Sequence, residues 1–258
     1  MDLSELRDVM LDSRKRWTTF RARGTEWRDA ELVNEAFRHR FRPGPNAVFV
    51  EGIADTPREQ VESWSLWIEL PDKIRAEFGV GGERVTVVFR GATWWSISSY
   101  SELPMTNGGA PNTRHGMGPG YPLTEPRQLV SALDLEPRGH VTFAGRPAVW
   151  VSAVPLVQSR SDATERFTFD DAVFDLGAGA DRYALVVDRE RGLILRSEAL
   201  FQGKPFAICE VHDIDFDVSI ADDTFTLEPP PGTTFVDARE RFGRSYDAFE
   251  LDAPDDDL

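Results

Sequence analysis

The 258 residues carry 44 acidic against 29 basic side chains, a formal net charge of −15, with 41% hydrophobic and 28% charged content. That balance is ordinary globular material, long enough for one large β-rich core or two small ones. It opposes phosphate backbones and anionic membrane surfaces, which are recognised by concentrated Lys and Arg, so the expected partners exclude nucleic acid.

Leu3, Leu6, Met10 and Trp17 recur at helical spacing over residues 3–17, with Ser4 and Glu5 early and Arg14-Lys15-Arg16 at the end, which suits the helix dipole. A weak alternation from Thr18 to Trp27 predicts a strand, and Leu32, Val33, Ala36, Phe37 and Phe41 predict a second helix over 29–41. The Arg42-Pro43-Gly44-Pro45-Asn46 cluster ends that helix, and 43–61 reads as a flexible excursion. No basic start with an apolar core follows Met1, and no segment approaches 18 uninterrupted apolar residues, so the chain is expected in the cytoplasm without membrane insertion.

Strands are predicted at 62–70, 73–79, 84–90 and 93–99, and again at 139–144, 147–154, 182–188, 193–201 and 205–217. Turn residues such as Arg90-Gly91, Ala144-Gly145 and Gln202-Gly203 join them, the pattern of an antiparallel meander. From Trp64 to Ser98 bulky residues occupy both faces of the strands, which suits a curved sheet closing over an apolar interior. Between the two groups lies 101–126, with five prolines and five glycines, and then a short helix over 127–135. Phe225 leads into Pro229-Pro230-Pro231-Gly232, a stiff exit. One domain is expected over 1–236, followed by an acidic tail, 237–258, of net charge −5.

The single Cys209 excludes an intramolecular disulfide and reads as a small buried hydrophobe. His39, His115, His140 and His212 show no metal-ligand spacing, so neither a metal nor a cofactor is expected. Glu210 and His212 share a strand face with Ile208 and Ile214 if no bulge intervenes, forming either a carboxylate–imidazole pair in a cavity or a surface pair. Asp213, Asp215 and Asp217 alternate with Ile214, Phe216 and Val218, a solvated strand face rather than a calcium cage. With no nucleophile nearby, no enzyme is expected.

The motifs also resemble, in their order, the lipoprotein-carrier and lipoprotein-sorting proteins (LolA-like) and the related regulators of envelope stress. Trp67-Ile68-Glu69-Leu70-Pro71-Asp72-Lys73-Ile74-Arg75 resembles the family's aromatic, Pro-Asp-Lys-x-Arg corner, and Gly91-Ala92-Thr93-Trp94-Trp95-Ser96 the strand after it. Phe143-Ala144-Gly145-Arg146-Pro147-Ala148 is similar to a later glycine-turn hairpin. Leu185-Val186-Val187-Asp188 with Gly192-Leu193-Ile194-Leu195-Arg196 resembles the next, and Phe225 to Gly232 the closing element. The resemblance spans 62–235 and implies an α+β fold, an open antiparallel β half-barrel covered by N-terminal and inserted helices. It implies a hydrophobic ligand, a lipid or acyl chain, in the half-barrel, or a regulatory, protein-binding module with a filled cavity. Sheet phase nominates Trp64, Leu66, Ile68, Val85, Val87, Phe89, Trp95, Ile97, Tyr183, Leu185 and Val187 as lining residues. The Pro/Gly-rich stretch 101–126 reads either as a lid carrying Met105, His115, Met117 and Tyr121 or as a disordered insertion.

Overall fold

The computed structural model describes residues 1–40, 57–79, 82–99, 103–107, 117–156 and 176–242. Helix α1 (Leu3–Leu11) opens on a reciprocal cap: the Asp2 carboxylate accepts the Glu5 backbone N–H, and the Glu5 side chain accepts the Asp2 N–H, both at 2.9 Å. A 3-10 turn at Ser13–Lys15 leads to β1 (Thr19–Asp29) and α2 (Ala30–Arg40). The chain continues through β2 (Glu59–Glu69), β3 (Lys73–Gly79), β4 (Val85–Arg90), β5 (Thr93–Ser98) and β6 (Met105–Thr106). A 3-10 turn at Pro122–Thr124 and α3 (Pro126–Ala132) precede β7 (Leu133–Phe143), β8 (Arg146–Pro155), β9 (Arg182–Asp188), β10 (Ile194–Phe201) and β11 (Lys204–Phe216). A last 3-10 turn at Asp222–Phe225, β12 (Val236–Asp237) and α4 (Ala238–Phe242) follow.

These twelve strands form one sheet in the order β12-β6-β5-β4-β3-β2-β1-β11-β10-β9-β8-β7, antiparallel except where β12 lies parallel to β6. The end strands do not meet, so the fold is an open α+β half-barrel. β1 is its keystone. It pairs along its length with β2 on one side and β11 on the other, joining two meanders that are distant in sequence.

Several boundaries differ from those the sequence predicts. The helix over 127–135 ends at Ala132, because Leu133 and Leu135 alternate with exposed Asp134 and Glu136 and period two prevails in β7. The 101–126 stretch is not a plain loop: it holds β6, a 3-10 turn and the start of α3. Residues 41–56, most of the expected excursion, lie outside the described residues, and β2 starts at Glu59. Val236 falls inside β12, and α4 occupies the first part of the expected tail.

One face of the sheet carries the core. Phe20 and Ala22 of β1, Leu66 and Ile68 of β2, Ile74 of β3, Val151 of β8, Leu185 of β9 and Val211 of β11 are buried in a single cluster with Leu6 and Met10 of α1, Ala36 of α2 and Leu129 of α3. The helices are therefore the inner cover of the half-barrel. The opposite face is crossed by the segment from Asp217 to Val236. Its Phe225 is fully buried, Lys73 pairs with Asp222 at 2.8 Å, and the Arg75 guanidinium donates to the Thr224 carbonyl at 3.1 Å. At the β9–β10 hairpin the buried Asp188 accepts the backbone N–H groups of Glu190 and Arg191 at 2.8 and 2.7 Å and pairs with Arg146. The aspartate of that motif thus holds the turn.

Candidate functional site

The inner face is a trough built by strand alternation. Cross-strand partners place Ala22, Leu66, Ala76 and Val87 in one row and Phe20, Ile68, Ile74, Phe89 and Trp94 in the next. On the other half, Val149 opposes Val187, Val151 opposes Leu185 and Ala153 opposes Tyr183. Of the nominated lining residues, Trp64, Leu66, Ile68, Val87, Phe89, Tyr183, Leu185 and Val187 are buried on this face, with Val85 half-buried at its margin.

Trp95 and Ile97 require correction. Phe89 pairs with Trp94 and Val87 with Ser96, while Trp95 pairs with Val88 and Ile97 with Thr86, so Trp95 and Ile97 point to the outer face. Trp94 takes the inner position and packs against the core. A one-residue step exchanges every side chain between the faces of a strand, and adjacent tryptophans leave that step undecided in the sequence. Ile74, Ala76, Phe78, Val149 and Val151 also face inward. Their alternation was available in the sequence, although their pairing was not.

Of the expected lid, His115 lies outside the described residues, Met105 is half-buried on β6, and Met117 and Tyr121 are buried in the core. The segment 117–121 sits directly on the trough. A β-carbon at Gly120 would come within 2.4 Å of the Trp64 ring, and one at Gly118 within 2.4 Å of the Phe78 ring. Gly118 also has φ of +75°, which a side chain disfavours. The Cys209 thiol beneath donates to the Pro119 carbonyl at 3.3 Å. The Tyr121 hydroxyl reaches Glu125 at 2.8 Å, and Glu125 pairs with Arg14 of the first 3-10 turn.

Past Trp64 the trough becomes charged. Glu26 pairs across the sheet with Cys209 on one side and Glu62 on the other. Glu26 is buried and held by Arg28, with Nε at 2.7 Å and Nη2 at 3.0 Å from its two oxygens. Burial pushes the Glu62 carboxyl above the usual carboxylate range against the opposing pull of Arg28. Burial, reinforced by Glu26, also pushes the Cys209 thiol well up, so it is a protonated hydrogen-bond donor rather than a thiolate.

The outer face holds the other candidates. A β-bulge skips His212, since Arg23 pairs with Asp213 and Gly24 with Val211. Ile208 and Ile214 therefore do not share a face, and Glu210 with His212 forms an exposed pair at 3.4 Å. Thr25 Oγ1 lies 3.0 Å from the same His212 Nε2. A nucleophile–base–acid relay needs both ring nitrogens, and here both neighbours meet one. Asp213 and Asp215 pair with Arg23 and Arg21, and Asp217 accepts the Thr18 backbone N–H at 2.8 Å. Among the described residues, no group of three or more His, Cys, Asp or Glu is placed to hold a metal ion, and no helix is long and apolar enough to cross a membrane.

The described strands form one open, twelve-stranded α+β half-barrel. No family model and no curated sequence matches the chain. Solved structures with a similar course include the complex of Pseudomonas aeruginosa MucA/MucB, at 17% identity and TM-score 0.47, over 87% of this chain and 60% of the matched one. They also include an uncharacterized conserved protein from Thermus thermophilus, at 12% identity and TM-score 0.48, over 89% and 96% of the two chains. A third is the Mycobacterium tuberculosis lipoprotein LppX, at 11% identity and TM-score 0.42, over 82% and 94%. Likeness at this level concerns the fold alone.

Proposed function

We propose that the protein is a non-catalytic binding protein whose half-barrel holds an apolar chain, a lipid or acyl group, on its inner face. The supporting observation is that inner-face side chains from both meanders form one continuous apolar surface, covered among the described residues by short helices and the segment 117–125 rather than by a second sheet. Such a cover can be exchanged at modest expense. Burying a 16-carbon chain is worth roughly 0.8 kcal/mol per methylene, about 12 kcal/mol in all, against about 1.5–3 kcal/mol for each of Met117, Tyr121 and Leu123 brought into water. Ordering the chain offsets part of the difference, which still favours exchange. Displacement of a fluorescent fatty acid by palmitate, with native mass spectrometry for stoichiometry, tests this reading. One palmitate per chain is expected, and absence of any saturable displacement at micromolar protein would exclude it.

A second reading, a protein-interaction module with a permanently filled interior, is favoured by the burial of Leu66, Ile68, Tyr183 and Leu185 to 1% exposure or less against the chain's own Leu6, Met10 and Leu123. It predicts that palmitate neither binds nor shifts the melting temperature, while a protein partner is recovered from native lysate.

A further inference from the structure

We infer that residues 117–125 are a removable occupant of the trough, holding the place of the apolar chain until that chain displaces them; this rests on the acyl-binding reading above. The segment is seated like a ligand. Its glycines lie flat on the Trp64 and Phe78 rings, where any side chain would collide, and Met117, Tyr121 and Leu123 are buried among the inner-face residues. Among the described residues its backbone pairs with no strand. Its described backbone hydrogen bonds are local instead: Tyr121 N–H to Gly118 O at 3.3 Å, Thr124 N–H to Tyr121 O at 2.9 Å and Glu125 N–H to Pro122 O at 3.2 Å.

Among the described residues the segment can therefore leave without breaking a ladder of the sheet. Among the described residues, the polar ties that hold it down include the Cys209 thiol to the Pro119 carbonyl and a latch in which Glu125, bonded by the Tyr121 hydroxyl, pairs with Arg14 of the first 3-10 turn. Opening the latch frees the seat on Trp64, Phe78 and Cys209 without touching the outer face. Gating and binding are then one equilibrium, in which apparent affinity is the intrinsic affinity multiplied by the fraction of molecules whose segment is displaced.

The chain's one cysteine lies beneath Pro119, so its reactivity reports departure of the segment with no ligand present. The experiment measures the rate of Cys209 modification by a small disulfide reagent in the full chain, in Arg14→Gln and Tyr121→Phe, and in Lys73→Ala, which removes the outer-face ties of Lys73 to Glu69, Asp222 and the Phe225 ring. Removing one charge-assisted tie is expected to speed labelling about tenfold in Arg14→Gln and less in Tyr121→Phe, and to leave Lys73→Ala at the wild-type rate. Palmitate should then bind Arg14→Gln more tightly by the same factor. Wild-type labelling rates in both latch variants, or equal acceleration in Lys73→Ala, would overturn the removable occupant. Selective acceleration with an unchanged palmitate Kd would place the ligand elsewhere and overturn the exchange. Selective acceleration with no palmitate binding in any variant would instead sink the acyl reading, and the exchange with it.

Discussion

Glu62 is the residue at which the trough's two characters meet. It faces the buried Glu26 across β1 and β2, and its ionised form is disfavoured by burial, with Arg28 as the opposing influence. A carboxyl whose folded value is raised binds its proton more strongly in the native state. Its contribution is therefore complete below the ordinary carboxylate range and is lost as pH rises from that range through the raised value. Glu62→Gln should raise Tm at about pH 7 and leave it unchanged near pH 3, where both side chains are neutral. An equal gain at both pH values would assign the effect to packing instead of charge. Much of this face was legible in the sequence, because Trp64, Leu66 and Ile68 have Ser63, Ser65 and Glu69 among their neighbours and Tyr183 and Leu185 have Arg182 and Ala184, whereas Val186 breaks the alternation beside Val187 and is itself buried. Trp95 was not, since Trp94-Trp95 presents an aromatic to each face and only the pairing with β4 chooses between them. The bulge at His212 was equally hidden, because an extra residue leaves no mark in a run as polar as His212-Asp213.

At the scale of elements, most long strands and both N-terminal helices follow from periodicity, although the first helix, expected over 3–17, ends at Leu11 before a 3-10 turn and the first part of β7 reads as helix, and the short elements do not follow. β6 and β12 have two residues each, too few to show any period, and they form only because the segment from Asp217 carries Val236 back beside Met105. That segment is anchored by Phe225, buried away from the main core and next to Lys73. Phe225→Ala should destabilise the protein by about 3–5 kcal/mol in urea unfolding, the usual loss for a fully buried phenylalanine. A loss under about 1 kcal/mol would show that the strap contributes little beyond connecting β11 to β12. The 101–126 stretch reads as a loop from its prolines and glycines, yet part of it is core. Gly118 and Gly120 are present because their backbones touch Phe78 and Trp64, a requirement invisible until the sheet places those rings.

For the whole molecule, the fold class was legible because motif order and strand alternation agree with one another, whereas the state of the interior depends on packing that no pattern encodes. Twelve strands present one apolar face, and among the described residues the chain covers that face with its own α1, α2, α3 and the segment 117–125. Two substitutions separate a trough that binds from a sheet that merely folds. Ala76→Trp fills the inner face between Leu66 and Val87, whereas Trp95→Ala alters only the outer face. The most direct measurement is palmitate binding to these two variants and the wild type by displacement of a fluorescent fatty acid, with a melting curve for each to confirm folding. One saturable site is predicted in the wild type and Trp95→Ala, and none in a folded Ala76→Trp. Equal binding by all three, or none by the wild type, would contradict an acyl chain on the inner face.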